Sequence, residues 1–293
     1  MLMSEAKILH ICVNYRNDHE TKSFVESCLK LTGADQVFFV VCDNSAERFD
    51  SVGEILKPLA QKKNILLLAN DDNPGYLGAA HRALEKIRST LGLAPQDFSH
   101  VILSNTDLVI DSKAFYAELL KLAADSEVGL QAPSVISTLT GREGNPLYPV
   151  RPSLRKIRRL RFVYGYYALA VCYHLLSFLK ARFLRCQNPS EGRGSVASDP
   201  YAVHGSFLIL RSIFFRRGGT LNYPVRLYGE ELFLAEQVRK LKLKTEILFF
   251  LKVVHREKGT ESHWWGRIGL SRRTFIFKKE SINYIASLWE AIA

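Results

Sequence analysis

Short apolar runs that each end in a polar turn restrict the possible folds of this chain most strongly. The clearest example is VILSNTDLVID, from Val101 to Asp111. A buried strand that ends in polar side chains places them at a sheet edge, where open α/β sheets bind ligands. Asn105 and Asp107 are two residues apart, so in an extended segment their side chains point the same way. Such oxygen ligands suit Mg²⁺ or Mn²⁺ bound together with a diphosphate, although an Asx turn would use the same residues.

Strand-like runs alternate with helical spacings over the first half of the sequence. Strands are predicted at 7–13, 36–42, 64–69 and 129–135, with a further strand from Val101 that ends at Asn105-Thr106-Asp107, and helices at 19–31, 55–59, 81–91 and 115–124. This alternation is typical of an α/β protein with a mostly parallel sheet. Farther along, the pattern predicts strands at 207–210 and 246–254, a helix that begins near Tyr228, and a helix at 280–292.

The composition is that of a folded protein. Hydrophobic residues make up 47% of the 293 residues and charged residues 24%, which excludes a disordered chain. The five cysteines form no CxxC motif and no His/Cys cluster, as expected for reduced thiols in the cytoplasm. The first apolar run follows Glu5 and Lys7 and is too short for a signal peptide. We therefore expect a cytoplasmic protein.

A net charge of +11 predicts an anionic partner, and most of the excess lies in one segment. No acidic residue occurs between Gly144 and Ser190, and the run Phe162–Leu179 within it carries no charged side chain. We interpret this segment as basic, aromatic helices on an anionic membrane surface. Burial against the core or a second subunit, and a true membrane span, are the alternatives. The Gly/Ser/Pro-rich stretch Gln187–Pro200 is predicted to form a lid or acceptor loop.

Three further motifs have both a functional and a structural interpretation. Asn73-Pro74-Gly75 precedes a helix whose first N–H groups could bind a phosphate or ribose, but a Pro-Gly turn would look the same. Glu230 and Glu231 begin a helix, where a catalytic base would stay ionised and where carboxylates are stabilised in any case. His255 follows the last strand, a position at which histidines serve structural or functional roles.

Taken in order, these motifs resemble the family 2 glycosyltransferases, especially the bacterial rhamnosyltransferase-like members that build O-antigen and capsular polysaccharide. The resemblance extends from Ile8 to Arg273 and is weakest over Arg142–Ser198. The motifs that carry it are Val13-Asn14-Tyr15, Asp43-Asn44-Ser45, Asn73 to Gly78, Asn105-Thr106-Asp107, His204-Gly205-Ser206, Tyr228 to Glu231 and Val254-His255.

This resemblance implies a GT-A fold in a single domain, with a mostly parallel central sheet flanked by helices. Residues 1–135 would form the nucleotide-binding half, 145–200 a basic amphipathic insertion, and 201–293 the acceptor half with the C-terminal helix. The implied reaction is an inverting transfer from a UDP- or dTDP-sugar to a hydroxyl of a glycan or polyprenyl-diphosphate-linked acceptor. Such an enzyme would work at the inner face of the plasma membrane, as a monomer or a homo-oligomer.

The same resemblance implies which residues bind the nucleotide. Asn14 and Tyr15 would line the base pocket, and Asp43 would hydrogen-bond the pyrimidine ring. Asn73 and Gly75 would lie against the nucleotide.

Metal and catalytic roles are implied for five further residues. Asp107 matches the aspartate that binds Mg²⁺ or Mn²⁺, and His255 matches a histidine that completes the metal site or contacts the diphosphate. Asn105 stands where the family usually has an acid, so it would weaken the metal site or face the ribose. Glu231 would be the general base, with Glu230 beside it as the alternative.

Other functions are compatible with parts of the sequence. Asn105 and Glu231 depart from the commoner family residues, which would also suit a catalytically impaired scaffold. A basic nucleic-acid-binding protein is a second alternative, but no RRM, KH, helix-turn-helix or zinc pattern is present. A nucleotidyltransferase is a third, and the loop Asn14–Asp18 lacks the glycines that such enzymes have there.

Overall fold

A computed structural model describes residues 6–45, 54–122, 127–185, 199–256 and 270–291, with only the backbone described at 181–185. Most of the Gly/Ser/Pro-rich stretch singled out in the sequence, residues 187–198, lies outside the described residues.

Eight strands form one sheet in the described part of the chain. They are β1 (Ile8–Asn14), β2 (Val37–Asp43), β3 (Ile65–Ala69), β4 (His100–Ser104), β5 (Leu108–Ile110), β6 (Val128–Ser137), β7 (Phe207–Arg211) and β8 (Lys244–His255). Their order across the sheet is β3-β2-β1-β4-β7-β6-β8-β5. Six strands run in one direction and only β7 and β5 are reversed, so the prediction of a mostly parallel sheet is confirmed.

Nine α-helices are described between and after these strands. They are α1 (Asp18–Cys28), α2 (Lys57–Ala60), α3 (Tyr76–Leu91), α4 (Phe115–Leu120), α5 (Leu154–Val163), α6 (Tyr167–Arg185), α7 (Ser212–Arg216), α8 (Glu230–Lys240) and α9 (Arg272–Glu290). The last helix begins eight residues before its predicted start, because the Ser271 hydroxyl caps it by accepting a hydrogen bond from the Thr274 N–H.

The strand predicted to end at Asn105-Thr106-Asp107 ends at Ser104, and the second apolar run of this stretch forms a separate strand, β5. β4 lies between β1 and β7, whereas β5 pairs only with β8 at the far edge of the sheet. Asn105-Thr106-Asp107 separates them, which agrees with the turn-forming chemistry of these residues. The turn therefore moves the chain from the centre of the sheet to its edge.

Alternation along β1 builds a core on each face of the sheet. Leu9 and Ile11 face a core that includes side chains from α3 and α9. Ile8 and Cys12 face the opposite core, which includes side chains from α1 and α4. The helices thus cover both faces and leave the carboxyl ends of the parallel strands at one shared edge.

The basic segment forms α5 and α6, which meet at an angle of 117°. The amino end of α5 is anchored to α9, since Trp289 Nε1 donates a hydrogen bond of 3.0 Å to the Pro152 carbonyl. Within the described residues, no single helix has the length and apolarity needed to cross a bilayer; only this bent pair, counted together, has them.

Candidate active site

The edge where β1 and β2 end carries two of the predicted nucleotide-binding residues. Asn14 and Asp43 face each other in register, and Asn14 Nδ2 donates to Asp43 Oδ1 over 2.9 Å. Both side chains are buried, and Asp43 Oδ1 also accepts a hydrogen bond from the Ser45 N–H at 3.0 Å. The structure therefore brings these two residues together, in contact with one another rather than with the adjoining pocket.

A pocket of about 510 Å³ opens at this edge. Its lining combines residues from both halves of the chain: Val13, Tyr15, Asn44, Asn73, Gly75, Tyr76, Asn105, 204–206, 226–228, 230–231, 273–274 and 277. Tyr15 is 43% exposed, so its ring is available to a ligand. A pocket with aromatic walls and a few polar groups is the usual form of a small-molecule site.

Gly75 fixes one wall of this pocket. Its φ is +84°, and its N–H donates to Asn73 Oδ1 over 3.0 Å. A β-carbon here would lie 2.0 Å from the Arg226 carbonyl oxygen, so only glycine fits. The start of α3 is thereby in direct contact with the loop that precedes α8.

The turn after β4 and the end of β8 bring Asp107 beside His255. Leu108 pairs with His255 across the two strands, and Asp107 Oδ2 lies 3.2 Å from His255 Nε2. Asp107 Oδ1 is buried and has no hydrogen-bond partner among the described residues. A carboxylate with one oxygen unused beside an imidazole is a suitable ligand pair for Mg²⁺ or Mn²⁺.

The protein supplies a small number of ligands here. No group of three or more His, Cys, Asp or Glu side chains able to hold a metal occurs in the described residues. A cation at Asp107 and His255 would therefore take its other ligands from a diphosphate and water, as Mg²⁺ commonly does. Asn105 lines the neighbouring pocket, where its amide can also face a ligand.

The segment His204–Ser206 joins the Asp107–His255 pair to the predicted base. The ring centroids of His204 and His255 are 5.7 Å apart. A β-carbon on Gly205 would lie 2.6 Å from Glu231 Oε1, so the Glu231 carboxylate rests against this glycine. The predicted metal ligands and the predicted base are thus separated only by this short segment.

A tight turn presents the two glutamates at the start of α8. Tyr228 and Gly229 have φ values of +70° and +82°. A β-carbon on Gly229 would lie 2.5 Å from Ser281 Oγ, and Tyr223 donates a hydrogen bond of 2.7 Å to the Tyr228 carbonyl. Packing against α9 therefore holds this turn in its left-handed conformation.

The two glutamates differ in protonation. Burial, and then the neighbouring Glu231 charge, raise the pKa of Glu230 to about 8. Burial also raises the pKa of Glu231, while hydrogen bonds from backbone N–H groups, including that of Gly205, oppose the shift. Because the Glu231 charge is one cause of the raised Glu230 pKa, the pair favours a proton on Glu230 and a carboxylate at Glu231, the form that a general base requires.

The pocket is also lined by two arginines that the sequence analysis did not single out as site residues. Arg226 Cζ lies 5.6 Å, and Arg273 Cζ 5.8 Å, from the centroid of the Phe277 ring. Arg226 Nε is buried and makes no hydrogen bond to another described residue. A pair of guanidinium groups beside one ring provides positive charge for phosphate oxygens.

No protein-family model and no curated protein matches this sequence. Solved structures do match. GalNAc-T7 with UDP, GalNAc and Mn²⁺ aligns with TM-score 0.52 and 14% identity over 85% of this chain and 44% of that one. The mannosyltransferase PcManGT from Pyrobaculum calidifontis, in complex with GDP-Man and Mn²⁺, aligns with TM-score 0.53 and 12% identity over 97% and 73%. S. aureus TarS 1–349 aligns with TM-score 0.51 and 11% identity over 97% and 70%.

These similarities confirm the predicted GT-A fold. The chain spans less than half the length of GalNAc-T7, at 44%. Identities between 11% and 14% establish a shared fold, whereas activity has to be argued from the site itself.

Proposed function

We propose that this protein is an inverting glycosyltransferase that moves a sugar from a nucleoside-diphosphate donor to a hydroxyl of a glycan acceptor. One observation carries the proposal: His204–Ser206 contacts both the Asp107–His255 pair and the Glu231 carboxylate beside the pocket. Sugar transfer to a hydroxyl requires a diphosphate-binding site and a base close to one another, so this arrangement supports the proposal. The structures of GT-A glycosyltransferases with nucleotide ligands and Mn²⁺ support it.

The donor, a UDP- or dTDP-sugar, is assigned to the pocket. Tyr15 and Asn44 line its side nearest the ends of β1 and β2, where a base would be bound. Arg226 and Arg273 would hold the diphosphate, since guanidinium groups form charge-assisted hydrogen bonds with phosphate oxygens. Asp107 and His255 would hold a divalent cation, which supplies charge neutralisation for a departing diphosphate.

Glu231 performs the proton transfer. Its carboxylate accepts the proton of the acceptor hydroxyl while that oxygen bonds to the anomeric carbon. The bond from this carbon to the diphosphate oxygen breaks in the same step, and the nucleoside diphosphate leaves with the electron pair. A single displacement inverts the anomeric centre and needs no covalent enzyme intermediate. A positioned base typically contributes ~10²–10⁴-fold to such a step.

We further propose that the acceptor is a polyprenyl-diphosphate-linked glycan, made at the cytoplasmic face of the plasma membrane during O-antigen or capsule synthesis by a rhamnosyltransferase-like enzyme. The surface of α5 and α6 supports this assignment. Phe162 on α5 is 64% exposed and Leu176 on α6 is 65% exposed. Arg155 and Arg159, which are also exposed, lie on α5 before Phe162. Each basic side chain near an anionic leaflet contributes about 1 kcal/mol to binding.

Donor turnover tests the proposal. Purified protein is incubated with UDP-, dTDP- and GDP-sugars, with Mn²⁺ or with EDTA, and thermal stabilisation and nucleoside-diphosphate release are measured. We expect one donor class to stabilise the wild type and to be hydrolysed, and to stabilise Glu231→Gln without hydrolysis. Binding without turnover in the wild type would indicate a scaffold. Stabilisation by RNA and by none of the donors would contradict the proposal altogether.

A further inference from the structure

Four tyrosines connect α5 and α6 to the catalytic edge, and the proposed mechanism assigns them no role. Tyr148 precedes α5, Tyr164 lies between α5 and α6, Tyr173 is on α6, and Tyr228 precedes α8. We call these four residues the tyrosine wall.

Ring contacts make the wall continuous on the side of α6. The Tyr164 ring centroid lies 6.5 Å from that of Tyr173 and 6.1 Å from that of His174, both edge-on. The Tyr164 hydroxyl lies 2.9 Å from His174 Nε2. Lys278 Nζ lies 3.4 Å from the same nitrogen and 5.1 Å from the Tyr228 ring centroid. Lys278 and His174 thereby link Tyr164 to the turn that presents Glu231.

The other end of the wall lies beside the segment that contacts the base. Backbone hydrogen bonds of 3.0 Å in both directions pair Tyr148 with Ala202, three residues before Gly205, against which the Glu231 carboxylate rests. Burial raises the pKa of Tyr148, and the charges of Glu231 and Tyr173 raise it further, in agreement with this placement. Tyr228 lines the pocket together with Glu231, whereas the other three tyrosines do not. Glu231 and Tyr228 therefore lie where the donor pocket meets the tyrosine wall.

Two hydroxyls of the wall are available to a ligand. Those of Tyr148 and Tyr173 make no hydrogen bond to another residue in the described part of the chain, and both side chains are only half-buried. Phenol rings offer an apolar face to the C–H groups of a pyranose, and their hydroxyls can donate to or accept from its hydroxyl groups.

We infer that the tyrosine wall binds the acceptor sugar. A pyranose packed on Tyr148 and Tyr173 would have a hydroxyl facing Glu231. This inference rests on the proposed function and assigns its acceptor subsite to a wall built largely by α5, α6 and the segment before them.

Binding of simple glycosides tests the inference without knowledge of the natural acceptor. The probes are p-nitrophenyl glycosides of glucose, galactose, mannose, rhamnose and N-acetylglucosamine, in the presence of UDP and Mn²⁺. Saturation-transfer NMR reports contact with the pyranose ring protons, and titration gives the Kd. The variants are Tyr148→Ala/Tyr173→Ala, the matching Phe double variant, and Tyr166→Ala. Tyr166 is a matched control, because it is 61% exposed and packs on Phe162.

We expect the wild type to bind at least one glycoside, and the Ala double variant to weaken that Kd by about tenfold or more. The Phe double variant should lie between them, since it keeps the rings and loses the hydroxyls. Tyr166→Ala should remain within about twofold of the wild type. Absence of glycoside binding by the wild type, or equal binding by the Ala double variant, would overturn the inference. UDP stabilisation of each variant shows that it is folded, and UDP binding without glycoside binding would leave the proposed donor site intact.

Discussion

The carboxylate of Glu231 rests against Gly205, where a β-carbon would lie 2.6 Å from Oε1. This distance is far below ordinary van der Waals separation, so any other residue at 205 has to displace the carboxylate. The position of the proposed base is therefore set by a backbone segment that also carries His204, whose ring contacts that of His255. Small changes in this segment should alter catalysis more than stability.

Gly205→Ala should lower kcat by about 10- to 100-fold with little change in donor affinity, because misplacing a base by an ångström is that costly. The measurement is steady-state transfer or donor hydrolysis, together with donor Kd. Gly205→Ala/Glu231→Asp provides the control, since the shorter carboxylate makes room for the added methyl group. Failure of this second change to restore any activity would argue against steric displacement of the base.

Glu231→Gln should lower kcat by ~10²–10⁴-fold while the donor Kd stays nearly unchanged. Glu230→Gln should stay within about threefold of wild type at pH 7, because glutamine resembles the protonated acid that Glu230 is below about pH 8. In the pH profile of kcat/KM, the apparent pKa of the acidic limb should lie above the ordinary glutamate pKa in both the wild type and Glu230→Gln, because burial raises the Glu231 pKa. Equal losses in the two variants would contradict the assignment of the base.

Asp107→Ala should abolish the dependence of donor binding on Mn²⁺. The reason is that Asp107 Oδ1 is buried with no hydrogen-bond partner among the described residues, as expected of an oxygen reserved for a cation. Calorimetric titration of the nucleotide with Mn²⁺ and with EDTA measures this dependence. Asp111→Ala, at an exposed carboxylate four residues away, is the matched control. Unchanged metal dependence in Asp107→Ala would refute the ligand role.

Arg226→Ala/Arg273→Ala should weaken binding of the nucleoside diphosphate by about 10- to 100-fold. The reason is that each hydrogen bond to a charged group contributes roughly 1.5–3 kcal/mol to binding. The free nucleoside should be affected far less, because it lacks the diphosphate. Arg272→Ala removes one charge from the same helix as Arg273 but from outside the pocket lining, and should change affinity by less than about twofold. Parallel losses for nucleoside and nucleoside diphosphate would point to a collapsed pocket instead.

Arg155→Ala/Arg159→Ala should release the protein from vesicles that contain phosphatidylglycerol, and added salt should reproduce this effect in the wild type. Flotation with anionic and with phosphatidylcholine vesicles measures the binding. Lys62→Ala/Lys63→Ala is the matched control, since these two exposed lysines precede β3, an edge strand of the sheet, and lie outside α5 and α6. Continued flotation of the arginine variant would count against docking through α5.

Most strands could be predicted because each is a short apolar run, and β1, β2, β4 and β7 are buried along nearly all of their length. Their order could not, because three residues between β4 and β5 suffice to move the chain from the middle of the sheet to its edge. The pairing of Asp107 with His255 depends on that move. Sequence motifs could name both residues, but their contact follows from β5 lying beside β8.

The arginines of the pocket illustrate a different limit. Arg226 lies in an irregular segment with no motif of its own, and Arg273 enters the site only because α9 begins earlier than its apolar pattern indicates. Phe277 contacts Arg273 one turn earlier on the same helix, and it contacts Arg226 from a segment far away in sequence. The contact with Arg226 leaves no periodicity for sequence reasoning to detect.

Gly229, at the turn before the two glutamates, is packed against Ser281 of the last described helix. During synthesis on the ribosome, residues 6–256 would leave the exit tunnel before that helix does. The nascent chain could thus complete its central sheet while the turn before Glu230 still lacked its support. We therefore expect the proposed sugar transfer to require the α9 segment, since the turn before Glu230 packs against Ser281 only once that helix is in place.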